Sequence, residues 1–427
     1  MASPVTPPRG MRDFLPGDKA RREQAFGLIR RTYTSHGFDE IETPVMEDIQ
    51  RLHSGLGGDN EKLSFRVLKR GIAAADIQAA ADKDDADSLA DLGLRFDLTV
   101  PLARFYATHR ADLPTVFRAI QIAPVWRAER PQKGRYRQFV QCDIDIIGDA
   151  SSLAEVELLT ATLATLDALG LEGCRVRIND RRLLIGMLDA FGFPAEDHAF
   201  VLIIVDKLDK VGAAGVVSEL RAKAPALEQA ILALESFLSR IQGLGEPAFG
   251  IAGITAVLPA GVDAEVIAAL AALGEAVDPA TLVFDPFLVR GMGYYTGTIF
   301  EIEHADFSFS LGGGGRYDGM IGRFLGTEVP AVGFSIGFER IIDHVRLPQG
   351  AAADSVALVH DRDADVATLL RLKNELITAG SRVRLERRAK NLTVQLERLA
   401  AAGFSRFGLV QPGASAREDV ELRALDS

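Results

Sequence analysis

The sequence predicts an α+β fold: an antiparallel sheet flanked by helices, with a helical insertion and a small C-terminal α/β domain. Three observations carry this. Two strand-like runs, 116–124 and 139–148, flank a polar, basic loop, the pattern of a strand pair. Residues 185–275 are rich in Ala and Leu, read as mostly helical and lack polar clusters that suggest chemistry. Beyond a Pro- and Ala-containing stretch at 347–353, short β-like runs alternate with helical runs in βαβαβ order. The resulting division is 1–184 and 276–346 for the two parts of a core, 185–275 for the insertion, 347–353 for a linker and 354–427 for the last domain.

The elements follow in order. Ala25, Phe26, Leu28, Ile29 and Tyr33 recur at helical spacing within 17–37. Gly37 ends that helix, and 38–44 reads as a strand stopped by Pro44. Residues 71–93 are rich in Ala and Asp and read as a solvated insertion or weak helix, with strand alternation returning at 94–98. Residues 153–169 form a helix capped by Ser151 or Ser152. Gly- and aromatic-rich strands fill 281–335 and lead into a helix at 336–345. In the last domain, strands at 355–360, 382–385 and 406–410 alternate with helices at 364–379 and 391–402.

Composition narrows the function classes. The chain has 427 residues, 48% of them hydrophobic, which suits several domains with ample core and excludes a disordered chain. A net charge of −11 excludes a polycation that coats nucleic acid or anionic membrane along its whole length. Cys142 and Cys174 are the two cysteines, and no paired Cys/His spacing suggests a structural zinc or any other protein-built metal site. No apolar run approaches the ~20 residues that span a bilayer, and no signal sequence is evident, so the expectation is a cytoplasmic protein without a membrane partner.

Four segments could carry chemistry. Residues 127–137 (RAERPQKGRYR) hold five basic side chains and one acidic. They read either as a solvated hairpin or as a cover over a polyanion, a task that suits the arginine fork. Gly134 allows a positive φ there. Residues 288–297 (LVRGMGYYTG) read as a bulged core strand or as a close approach to a ligand. Residues 311–319 (LGGGGRYDG) are a flexible loop or bare backbone laid against a flat ligand. They fit neither a dinucleotide fingerprint nor a P-loop. Residues 331–340 (AVGFSIGFER) place Arg340 just inside a strand-to-helix segment.

Together these segments resemble the class II aminoacyl-tRNA synthetases. Residues 20–44, with Pro44, resemble motif 1; 127–148 resemble the basic antiparallel motif 2; 331–342 resemble motif 3. Within the class the sequence is similar to the histidyl-tRNA synthetase family: 288–301 and 312–319 look like its two private signatures, and 95–101 (RFDLTVP) like its substrate-binding segment. The resemblance covers nearly the whole chain and makes the last domain an anticodon-binding domain. No H-I-G-H and K-M-S-K-S pair supports the class I fold.

The resemblance implies activation of L-histidine by ATP and Mg²⁺, transfer to the 3′ end of tRNA(His), and a homodimer with motif 1 at its interface. It implies that Arg127 holds the α-phosphate, that Arg340 lies by the γ-phosphate and that Arg290 bridges the α-phosphate and the substrate carboxylate. Gly337 and Glu129 join the ATP site, with Glu129 the candidate Mg²⁺ carboxylate. Asp97, Thr99 and Gln141 fall near the ammonium; Asp145 and Tyr295 near the ring; Tyr294 in the pocket lining. Arg130, Gln132, Lys133, Arg135, Arg387 and Arg388 would meet tRNA. The glycines of 312–315 would floor the pocket.

The chain departs from the family pattern at Gly293, where an acidic residue is usual, in the length of 71–93, and in ending soon after Val410, which leaves the last strand of the final domain in question. Two other functions compete: a catalytically inactive, histidine-sensing relative resembling the regulatory subunit of ATP phosphoribosyltransferase, and an RNA-binding relative without activation. Arg127, Arg290, Arg340 and the presence of 355–427 favour the enzyme. Residues 351–427 hold 12 basic and 11 acidic side chains, and five of those cations crowd 382–390. With 127–137 they make two basic islands on an acidic chain.

Overall fold

A computed structural model describes residues 5–53, 63–131, 134–243, 245–290, 295–347 and 354–425. The chain divides into two compact units: Met1–Asp13 with Gln24–Arg346, and Phe14–Glu23 with Leu347–Ser427.

The first unit holds strands β1 (Asp39–Glu40), β2 (Met46–Asp48), β3 (Phe65–Leu68), β4 (Ala90–Leu94), β5 (Phe117–Trp126), β6 (Gln138–Ile147), β7 (Arg175–Asp180), β8 (Leu282–Phe284), β9 (Thr298–Glu303), β10 (Gly312–Arg316) and β11 (Ala331–Gly337). Eight form one sheet in the order β1-β5-β6-β11-β10-β9-β7-β8. Its centre, from β5 to β7, is antiparallel; β1 and β8 add parallel edges. Strands β2, β4 and β3 form a separate antiparallel sheet.

The helix Pro16–Ser35 buries Ala25, Phe26, Ile29 and Tyr33, the apolar spacing read in the sequence. Phe26 stacks on Phe338 with ring centroids 4.0 Å apart, which ties the helix to the turn after β11. Such contacts are worth about 1 kcal/mol beyond the buried area.

Several local expectations need correction. The 38–44 strand shortens to Asp39–Glu40, because only those residues find a ladder partner, on β5. Alternation at 94–98 is not a strand: β4 ends at Leu94, and 95–98 lead into the helix Thr99–His109. Residues 71–93 do hold the expected solvated helix, Ala74–Asp82, exposed except at Ala80, but they also supply most of β4, which was not expected. Neither Ser151 nor Ser152 caps the helix Leu153–Ala168 by its side chain; Asp149 instead accepts from the Ser151 amide. Ile336 belongs to β11, and the helix after it is only Phe338–Ile341.

In the second unit β12 (Ser355–His360) pairs in parallel with β13 (Arg382–Arg387) and β14 (Arg406–Val410). The chain does supply a final strand, β15 (Leu422–Ala424), antiparallel to β14. The helices Val366–Thr378 and Leu392–Ala401 pack the two sheet faces through Leu369, Leu372 and Leu376 on one side and Leu399 on the other. Among the described residues no helix is long and apolar enough to cross a membrane.

Candidate active site

The central strands open onto a cleft of about 500 Å³. Side chains on a strand alternate faces, so Gln141, Asp143 and Asp145 of β6 all point to the same side, and all three line the cleft. On the neighbouring strand they face Gly337, Ser335 and Gly333.

The glycines are sterically required. A Cβ on Gly333 would stand 1.9 Å from Asp145 Oδ1, and one on Gly314 1.9 Å from the Gly333 oxygen. A Cβ on Gly313 would sit 2.7 Å from Arg290 Nη1, and one on Gly315 2.9 Å from the Tyr295 ring. The Gly312–Arg316 run is thus a regular strand, not a flexible loop.

One end of the cleft is acidic. Asp145 is buried, and Tyr317 donates to its Oδ1 across 2.5 Å. Burial pushes Asp145 up to about 7, against the Tyr317 bond, with the Asp97 charge adding to the rise. Asp97 accepts from the Val100 amide at 3.2 Å, which places it at the start of the Thr99–His109 helix. Burial raises it to about 6, opposed by that amide and by Arg127. Burial, then the Asp145 charge, hold Asp143 well above the usual carboxylate range, with Asp97 adding and Ser335 and Arg127 opposing.

The same cleft holds a set of arginines. Arg127 donates Nε to the Phe96 oxygen at 3.0 Å and lies over the Phe139 ring. Arg340 donates Nη1 to the Ser310 oxygen at 2.6 Å. Burial, then Arg135, Arg290 and Arg127, lower its proton affinity. Arg290 lies over Gly313 and meets Glu301 at 3.2 Å. Three arginines that converge on a buried fourth call for an anion between them.

The structure brings Asp97, Thr99, Arg127, Glu129, Arg135, Gln141, Asp145, Arg290, Tyr295, Gly337 and Arg340 to this cleft. Gly134 takes φ +76 at its mouth. Arg130 does not line it, and Arg387 and Arg388 lie in the second unit, on or just after β13. Gln132, Lys133, Gly293 and Tyr294 lie outside the described residues. Arg95, in the substrate-like segment, is a structural clamp: its guanidinium donates to the Thr43, Pro44 and Pro124 carbonyls.

Sequence reasoning missed several lining residues. Asp143 and Ser335 follow from strand periodicity, Tyr317 stands inside the segment 311–319, and Glu339 directly precedes Arg340. The insertion is not chemically silent either, since its Asp206 and Lys210 reach the cleft. Their signal was weak because Asp206 lies between two helices and Lys210 in the first turn of the second, amid largely apolar sequence.

Comparison with known proteins agrees with this geometry. Residues 10–341 match the family described as histidyl-tRNA synthetase. A histidine–tRNA ligase of Leifsonia xyli subsp. xyli is 60% identical over 418 residues, 96% of each chain. A probable histidine–tRNA ligase of Tropheryma whipplei is 43% identical over 420 residues, again 96% of each. The crystal structure of histidyl-tRNA synthetase from Nostoc sp. PCC 7120 superposes with TM-score 0.76 at 25% identity, covering 99% of this chain and 95% of that one. A Bacillus halodurans chain titled ATP phosphoribosyltransferase regulatory subunit/histidyl-tRNA synthetase shares the fold at 20% identity, with TM-score 0.73. From the match over most of its length and its identity to relatives that cover nearly all of it, this chain belongs to the histidyl-tRNA synthetase family of aminoacyl-tRNA ligases.

Proposed function

We propose that the cleft performs both steps of histidine–tRNA ligation, with the residue roles that follow. The observation that carries this is its make-up: a cluster of buried carboxylates and a set of converging arginines line one cleft. Histidine binds with its ring at Asp145 and Tyr295 and its ammonium toward Asp97, Thr99 and Gln141. Its carboxylate then faces the arginines, where ATP lies. A carboxylate oxygen attacks the α-phosphorus and the bond to pyrophosphate breaks, giving histidyl-adenylate. Both reactants are anions, so fixed positive charge lowers this barrier more than an acid or base would. Arg127 and Arg290 offset charge at the α-phosphate and Arg340 at the γ-phosphate, with Gly337 leaving room beside it. A ribose hydroxyl at the 3′ end of tRNA(His) next attacks the carbonyl carbon and expels AMP.

Among the described residues no group of three His, Cys, Asp or Glu side chains could hold a metal. Mg²⁺ needs only one or two carboxylates when it is held along with phosphates. Glu129 lines the cleft beside the arginines and fits that demand; Glu339, a second carboxylate that sequence reasoning did not find, also lines it, but its oxygens already meet Arg12 and the Val140 amide. When bound, the ion would offset phosphate charge.

The tRNA contacts we propose are Arg130, Gln132, Lys133 and Arg135 on the motif 2 loop and Arg387 and Arg388 near the edge strand β13. The domain roles are catalytic core for 1–184 and 276–346, insertion for 185–275, linker for 347–353 and anticodon binding for 354–427. A cytoplasmic homodimer is part of this reading. Exposed Val45, Met46, Leu68 and Leu92 on and beside the β2–β4 sheet support a covered face there. Histidine-dependent ATP–pyrophosphate exchange tests the function: exchange is expected, and histidine binding without exchange would favour a histidine sensor.

A further inference from the structure

The acidic end of the cleft holds more acceptors than the family resemblance assigns. Asp97 Oδ2 and Gln141 Oε1 are buried, line the cleft and, among the described residues, have no hydrogen-bond partner. Gln141 Nε2 donates to Ser335 Oγ at 3.0 Å and stands 3.4 and 3.5 Å from the Asp143 oxygens. That engagement turns Oε1 away from Asp143 and leaves it for a ligand. Asp143 is 4% exposed and lies between Gln141 and Asp145 on the cleft face of β6.

We propose that Asp143 is a substrate-binding residue which, with Asp97 Oδ2 and Gln141 Oε1, completes a three-acceptor cup for the substrate's α-ammonium. The proposal rests on the histidine-activating reading above. An ammonium carries three N–H donors on one nitrogen, and the cup supplies three acceptors. An imidazole offers at most two donors, pointing in opposite directions, and so cannot satisfy all three. The ring has its own place, because Asp145 Oδ1 is already fixed by Tyr317. Asp145 and Asp97 crowd Asp143 with like charge, which Arg127 opposes, and a further cation seated among the three carboxylates would oppose it too. Leaving such acceptors unpaired would be costly, so the cup selects strongly for a ligand that pairs all three.

Asp143→Asn keeps the shape and removes the charge. Calorimetric titration with three ligands separates the roles: histidine, histidinol (ammonium without carboxylate) and imidazolepropionate (ring and carboxylate without ammonium). Histidine and histidinol are expected to bind roughly 10- to 100-fold more weakly than to wild type, with imidazolepropionate unchanged. In exchange assays the KM for histidine should rise by the same factor while kcat changes by less than about threefold. Unchanged histidine affinity, or equal weakening of imidazolepropionate, overturns the proposal. Asp143→Ser, a smaller acceptor, serves if the asparagine variant does not fold, and its expected pattern is the same. Absence of exchange in wild type would remove the functional reading instead; histidinol titration needs no turnover and keeps the two failures apart.

Discussion

Tyr317 and Asp145, 172 residues apart in sequence, meet as a buried phenol–carboxylate pair 2.5 Å from oxygen to oxygen. The bond opposes the burial that lifts Asp145 to about 7. Tyr317→Phe removes it, so Asp145 should ionise at still higher pH. The acid limb of kcat/KM for histidine should move toward alkaline pH, and KM at pH 7 should rise about tenfold. A pH profile identical to wild type would contradict a role for Tyr317 in holding this carboxylate.

Stability of the ligand-free protein should carry the opposite mark. A carboxyl raised from 3.8 to about 7 keeps its proton in the native state after the unfolded chain has lost it. Its burial therefore destabilises increasingly as pH rises from about 4 to 7 and evenly above. Asp145→Asn abolishes that slope. Its advantage over wild type should be near zero at pH 4 and reach roughly 2–4 kcal/mol at pH 8. Urea melts at the two pH values measure this; a constant difference would refute it.

Arg290→Ala separates chemistry from folding. The Arg290 side chain is 26% exposed and its ion pair with Glu301 spans 3.2 Å, so its loss should cost less than about 1 kcal/mol of stability. Adenylate formation should fall by roughly 10²–10³-fold, the cost of removing one fixed charge-stabilising donor. Near-normal exchange would end its assignment.

Gly333 and Gly319 make a matched pair. A methyl at Gly333 overlaps the Asp145 carboxylate, whereas one at Gly319 meets nothing within 4 Å. Gly333→Ala should weaken histidine binding more than tenfold and cost about 1–3 kcal/mol. Gly319→Ala lies in the helix Asp318–Leu325 and should stabilise by about 0.5–1 kcal/mol with activity intact. Calorimetry and thermal melts of both variants decide it.

Arg387 and Arg388 lie at the open edge of the β13-β12-β14-β15 sheet. Replacing both with Gln should lower the slope of log K for tRNA against log salt by roughly 1.4–1.8. Histidine activation should be untouched. An unchanged slope would remove these two residues from the tRNA surface.

The sequence by itself determined the helices with apolar periodicity, the 127–137 hairpin and the arginines, because each is a local signal: a spacing, a charge run, a residue type. Family membership followed from the order of those signals. Tertiary structure decided what local signals cannot encode. Asp143 reads as one more strand residue until β6 is laid beside β11 and Ser335 and Gly333 appear opposite Asp143 and Asp145. The Gly312–Arg316 run reads as a loop until neighbouring backbones close to within the space of one Cβ. Asp206 and Lys210 belong to an otherwise silent helical block until that block is folded against the cleft. Burial then shifted the acids: Asp97 and Asp145 are ordinary acids in the sequence, and removal from water, with the Asp97 charge adding at Asp145, moves them to about 6 and about 7.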